Sequence, residues 1–125
     1  MRLLVADDHP LFRLGLKAAL EAEGLEVVAE AGTGEEALAQ ALEKAPDAVL
    51  LDLRMPGMDG LTCARRLREM GYRGLVILLT TYQEPALLLD AYKAGADAYL
   101  SKELSAPELQ RRLPRTRQCE ARLTA

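Results

Sequence analysis

Residues 48–53 read AVLLDL: five apolar positions interrupted by one carboxylate, Asp52, just before the run ends. A strand with one wet face alternates apolar and polar side chains. A run apolar at nearly every position is covered on both faces, as in a parallel sheet sandwiched between helices. Two other runs share this character, Leu3–Asp7 and Leu75–Thr80. Two shorter β-prone runs, Glu26–Ala31 and Ala98–Ser101, bring the expected strands to five.

Helical patterns separate these runs, each with its own start and stop signals. Pro10 suits a first helical turn, and Gly24 a stop. Thr33-Gly-Glu-Glu36 reads as a capping box, followed by Leu38, Ala41, Leu42 and Ala45 at helical spacing, and Pro46 bars continuation. Asp59 is placed to cap a third helix that Gly71 ends, and a fourth runs from Pro85 to Gly95. Ser105-Ala-Pro-Glu108 is a second capping box, with Leu104 and Leu109 positioned as a hydrophobic staple. Pro114 should end this last helix, because its ring clashes with the preceding turn. Strict alternation of five strands and five helices predicts a single α/β domain with right-handed crossovers, a (βα)5 three-layer sandwich. Residues 1–113 are expected to form this domain, and 114–125 to be a tail or linker remnant that leaves its body.

The 125-residue length suits one domain, and 50% hydrophobic residues suffice for a core. No apolar run approaches the roughly 20 residues needed to cross a bilayer. The N-terminus lacks the pattern of a signal peptide, and Cys63 and Cys119 lack metal-binding spacing. A cytoplasmic chain with free thiols and no membrane partner is expected; Cys63 reads as a helix-packing residue. Residues 1–110 carry 11 basic and 18 acidic residues, a net −7, whereas Arg111, Arg112, Arg115, Arg117 and Arg122 against Glu120 give 111–125 a net +4. The acidic body disfavours nucleic-acid binding. The basic end reads as a solvated chain end.

In an open parallel sheet, ligands bind beyond the carboxyl ends of the strands. There the first strand delivers Asp7 and Asp8, the third Asp52, the fourth Thr80 and the fifth Lys102. Three acids alone would repel one another and raise their pKa values. A hard divalent cation removes the conflict, and Mg²⁺ suits carboxylates while still accepting water and phosphate oxygens. A carboxylate beside Mg²⁺ can take up a phosphoryl group. Asp52, on the strand between the acid pair and the Thr/Lys side, is the expected nucleophile. Lys102 and Thr80 can each hold a phosphoryl oxygen. His9 is the only histidine, so no histidine cluster or internal histidine triad can form; it reads as shaping the loop or lying near the metal. Pro56 and Gly57 read as fixing the loop after the third strand, and Gly60 as permitting close packing there.

Four phrases, "LVADDHP", "LLDLRMPGMDGL", "VILLTTY" and "GADAYLSK", together resemble the receiver domain of two-component response regulators over about residues 1–113. "DDHPLFRLGL" and "LTTYQE" further resemble its LuxR/NarL-type subfamily. The resemblance implies a flavodoxin-like fold with a parallel five-stranded sheet in the order 2-1-3-4-5. It implies Asp52 as phosphoacceptor. Asp8 would bind Mg²⁺ directly, Asp7 mainly through water, and the backbone carbonyl of Arg54 would complete the protein ligands. Thr80 and Lys102 would bind the phosphoryl group, and Tyr99 would be the switch aromatic coupled to Thr80. Implied partners are a sensor histidine kinase, a homodimer formed on phosphorylation, and DNA only through a helix-turn-helix output domain outside these residues. One departure is that Glu103, rather than the proline common in receivers, follows Lys102.

Three other functions compete with a transcriptional switch. A stand-alone regulator would act by protein contacts. A Mg²⁺-dependent aspartyl-phosphate phosphatase or phosphotransferase would usually carry a second acid two positions after the nucleophile, where this chain has Arg54. A flavin site would want a Ser/Thr/Gly-rich phosphate loop after the first strand, where this chain has Asp8-His9-Pro10. The leading expectation is a phosphoacceptor switch that catalyses only its own phosphoryl transfer and dephosphorylation.

Overall fold

The computed structural model describes residues 1–81 and 85–114. The strands are β1 (Arg2–Ala6), β2 (Glu26–Ala31), β3 (Ala48–Asp52), β4 (Leu75–Thr80) and β5 (Ala98–Ser101); the helices are α1 (Pro10–Ala22), α2 (Gly34–Lys44), α3 (Gly60–Glu69), α4 (Pro85–Lys93) and α5 (Ala106–Arg112). All paired strands are parallel and the sheet order is β2-β1-β3-β4-β5. This is the flavodoxin-like α/β sandwich expected from the sequence. β1 and β3 each stop one residue earlier than the apolar runs suggest, which leaves Asp7 and Leu53 just beyond the strands.

The uninterrupted apolar runs supply two cores. Leu4, Ala6, Val49, Leu51, Val76 and Leu78 face one side, packed with Ala37 and Ala41 of α2, Cys63, Ala64 and Leu67 of α3, and Ala91 of α4. Leu3, Val5, Ala48, Leu50, Leu75, Ile77 and Leu79 face the other, packed with Leu20 of α1 and Leu109 of α5. Each fully buried leucine or isoleucine contributes about 1.5–3 kcal/mol through removal from water.

Polar caps fix where the helices begin. Thr33 Oγ1 accepts the Glu36 N–H at 3.1 Å, and Asp59 Oδ1 the Thr62 N–H at 2.8 Å. Ser105 Oγ accepts the Glu108 N–H at 3.3 Å. The reciprocal arm of the first capping box lands one residue upstream, since the Glu36 carboxylate accepts from the Gly32 N–H. Leu113, at φ −66° and ψ 123°, is already extended, because the proline after it disfavours the helical conformation. The expected departure of the tail, and Cys119 with it, falls at residues 115–125, outside those described.

Two polar clamps join elements in ways that no sequence pattern signalled. Arg2 donates to the carbonyls of Ala45 and Lys44 at the end of α2, while its own N–H binds Asp47 Oδ2 at 2.7 Å. Arg68 on α3 donates to the carbonyls of Tyr72, Gly74 and Gly95 and pairs with buried Asp97 at 2.7 Å. The same Asp97 oxygen accepts the Val76 N–H at 3.0 Å.

Candidate functional site

The carboxyl ends of β1, β3, β4 and β5 open onto one cleft of about 210 Å³, lined by His9, Asp52, Arg54, Thr80, Thr81 and Lys102. Asp7 and Asp8 follow directly on β1, and register explains why they meet Asp52. Ala6 pairs with Leu51 across β1 and β3, and Asp52 pairs with Leu79 across β3 and β4. Ligand atoms of Asp7, Asp8, His9 and Asp52 lie within 4.8 Å of one another. The structure therefore brings together the three acids, Thr80 and Lys102, as the sequence suggested.

Burial divides their roles. Asp7, Asp52 and Thr80 are buried, whereas Asp8 is partly open and Thr81 is exposed. Lys102 Nζ lies 2.8 Å from Asp7 Oδ2 and 3.5 Å from Asp52 Oδ2. Its ammonium also sits 4.2 Å from the centroid of the Phe12 ring, a cation–π contact that limits where the side chain can swing. Arg13 reaches the Asp7 carbonyl at 2.6 Å and thereby ties α1 to the acid loop. Phe12 and Arg13 were not anticipated. Their signal was available in retrospect: an aromatic and a guanidinium in the first turn of the helix that follows an acid pair.

Burial, then the Asp7 carboxylate, push the Asp52 carboxyl above its ordinary value; Lys102 and the Arg54 N–H, 3.3 Å from Asp52 Oδ1, act in the opposite sense. Local cations thus offset only part of the cost of the charge. Asp7 Oδ2 and Asp8 Oδ1 are sealed from solvent, and neither accepts a well-directed hydrogen bond despite close Lys102 and His9 nitrogens. Carboxylate oxygens gathered this closely suit a hard divalent cation such as Mg²⁺. Tyr99 is buried in the core layer with Ala91, Ala94 and Ala96, on the strand that delivers Lys102.

Glycines allow the loops around Asp52 to close. A Cβ on Gly60 would stand 2.6 Å from the Asp52 carbonyl oxygen, and Gly57 adopts φ 78° in the preceding turn. The close packing expected at Gly60 is therefore backbone against backbone, directly behind the central carboxylate.

Residues 3–114 match the family model described as response regulator receiver domain. The chain is 38% identical over 112 residues to the nitrate/nitrite response regulator protein NarL of Escherichia coli (strain K12), covering 89% of this chain and 52% of that protein. It is 31% identical over 115 residues to chemotaxis protein CheY of Bacillus subtilis (strain 168), covering 92% of this chain and 96% of that one. Among solved structures, a LuxR-family two-component response regulator from Aurantimonas sp. SI85-9A1 superposes with a TM-score of 0.83 at 34% identity, covering 98% of this chain and 84% of that one. The chain spans about half the length of the NarL-type proteins it matches.

Proposed function

Because this chain belongs to the response regulator receiver domain family, we propose that it is a phosphorylation-controlled switch whose phosphoacceptor is Asp52. The observation that carries this reading is the convergence of Asp7, Asp8, Asp52, Thr80 and Lys102 on one strand-end cleft. The donor is a phosphohistidine on a sensor kinase. An Asp52 carboxylate oxygen bonds to phosphorus as the donor's P–N bond breaks, and the departing nitrogen takes a proton from solvent. Asp8, Asp52 and the Arg54 carbonyl would hold Mg²⁺, with Asp7 acting mainly through water. When bound, Mg²⁺ supplies neutralisation of charge on the phosphoryl oxygens. Lys102 exchanges its contacts with the two buried acids for a phosphoryl oxygen, and Phe12 keeps the ammonium over the cleft. The Thr80 hydroxyl binds another phosphoryl oxygen, and its displacement couples to Tyr99 and the α4–β5–α5 face.

The NarL-type relatives favour transcriptional control as the output, through a DNA-binding domain outside these residues and with a homodimer formed on phosphorylation. A stand-alone switch acting by protein contacts is the second reading, favoured by the CheY relative, whose length the chain nearly spans. Both readings place the protein in the cytoplasm beside its kinase; among the described residues, no helix is long and apolar enough to cross a membrane. Mass spectrometry after incubation with acetyl phosphate and Mg²⁺ tests the shared core. One base-labile phosphoryl group should appear, and Asp52→Asn should abolish it. Undiminished labelling of that variant at another residue would overturn the assignment.

A further inference from the structure

His9 belongs to the cleft geometrically but has no part in the phosphoryl chemistry above. It precedes α1 at the N-cap position, yet its side chain makes no capping bond. Its N–H instead donates to Asp7 Oδ1 at 2.8 Å. The ring then folds back, so that Nδ1 hydrogen-bonds Asp7 Oδ1 at 3.1 Å and stands 3.1 Å from Asp8 Oδ1. Those two separations are hydrogen-bond and ion-pair distances, and they also match the spacing of neighbouring donors in an octahedral centre. With metal–ligand bonds of about 2.1 Å, adjacent donor atoms lie about 3.0 Å apart. Ligand atoms of Asp7, Asp8, His9 and Asp52 all lie within 4.8 Å of one another, close enough for one ion to draw Nδ1 and the carboxylate oxygens together. Asp8 Oδ1 is sealed from solvent without a well-directed hydrogen bond, and the Asp7 side chain is 98% buried.

We propose that the His9 imidazole is a nitrogen ligand of this cation site, so that the cleft binds borderline divalent ions such as Co²⁺, Ni²⁺ and Zn²⁺ through Asp7, Asp8 and Nδ1, in addition to binding Mg²⁺ through oxygen alone. The inference rests on the cation-site reading above and extends it to metal preference. Mg²⁺ gains little from an imidazole, because it is a hard ion that favours oxygen. Later first-row divalent ions gain much, because imidazole suits them and their affinities rise toward copper. The His9 backbone N–H is fixed on Asp7 Oδ1, and the ring is turned back toward the acids by its own contact to the same oxygen. Coordination through Nδ1 places the ring proton on Nε2 of a side chain that is largely exposed.

The test uses tag-free protein with Cys119→Ser, so that the second thiol cannot compete for metal. Calorimetric titration with Co²⁺ and with Mg²⁺ is run on this protein, on His9→Ala and on Asp8→Ala. His9→Ala should weaken Co²⁺ binding by about tenfold or more while leaving Mg²⁺ binding within about twofold. With one histidine in the chain, nitrogen-15 NMR reads that ring alone: Zn²⁺ should shift Nδ1 strongly and leave Nε2 protonated, and Mg²⁺ should not. His9 is largely exposed, and circular dichroism is the check that its variant remains folded. Equal loss of both ions in His9→Ala, no loss of either, or an Nδ1 unmoved by Zn²⁺ would overturn the proposal. Unchanged Mg²⁺ and Co²⁺ binding in Asp8→Ala would instead remove the cation site itself.

Discussion

Asp52 stands where burial and the neighbouring Asp7 carboxylate both oppose its charge, and Lys102 offsets only part of that cost. Its folded-state pKa is raised above the unfolded value, so its linkage has a definite sign. The stability it contributes is fully present below the ordinary carboxylate range and is lost as pH rises through the raised folded value. In Mg²⁺-free buffer at neutral pH, Asp52→Asn should therefore raise the melting temperature by a few degrees. The gain should disappear as the pH falls through the ordinary carboxylate range, which a series of thermal melts would read directly. A lower melting temperature for the variant at neutral pH would contradict this account of Asp52. Cys63 makes the opposite use of burial. Its Sγ lies 3.6 Å from the Gly34 carbonyl, and burial first, then Glu35 and Asp59, push the thiol up to about 12. Since the thiolate is the reactive form, Cys63 in a Cys119→Ser background should resist a thiol reagent at pH 8 until denaturant unfolds the chain. Rapid native labelling would show that the α2–α3 layer opens readily.

At the scale of elements, the fold is held by polar clamps as well as by its two cores. Arg68 gathers the end of α3, the start of β4 and the α4–β5 turn onto one guanidinium, while Asp97 returns to the backbone of β4. Removing one partner strands the other, nearly buried, without its counter-charge. Arg68→Ala should thus cost about 3–5 kcal/mol in urea unfolding. Asp97→Ala should be similarly severe, and the double variant should lose clearly less than the sum of the two. Strict additivity would mean that the arginine acts through its three carbonyls alone. The clamp lies at the opposite end of the sheet from the acid cleft, so Asp52 labelling should survive in whatever fraction remains folded.

At the scale of the whole molecule, the sheet gathers Asp7, Asp8 and Asp52 at one edge, with Lys102 among them. A cation that binds only the native state stabilises it by RT ln(1 + [L]/Kd), about 1.4 kcal/mol at tenfold over Kd. Mg²⁺ should accordingly raise the melting temperature of the unphosphorylated protein in a concentration-dependent way. Asp8→Ala should abolish the shift; a variant that keeps it would show that Asp8 is not a principal ligand. Deleting residues 115–125 should leave this shift unchanged, because the acid cleft is built from residues 7–102, and Leu113 is already buried with Leu20 and Leu109.

Five strands, their parallel arrangement and the helix starts were legible in the sequence because each rests on local chemistry. Uninterrupted apolar runs such as Leu75–Thr80 admit no solvent face, and Thr33, Asp59 and Ser105 cap the helices they precede. The convergence of Asp7, Asp8, Asp52, Thr80 and Lys102 was legible too, since parallel strands deliver their carboxyl ends to a single edge. What tertiary structure alone decided was who touches whom at that edge and beyond it. Lys102 pairs with Asp7 more closely than with Asp52, Phe12 holds its ammonium, and the His9 ring turns back onto the acid pair. Arg68 and Asp97, 29 residues apart, meet across the sheet end. Such contacts depend on strand register and helix docking, which join residues remote in sequence, and no local periodicity encodes a side chain's distant partner.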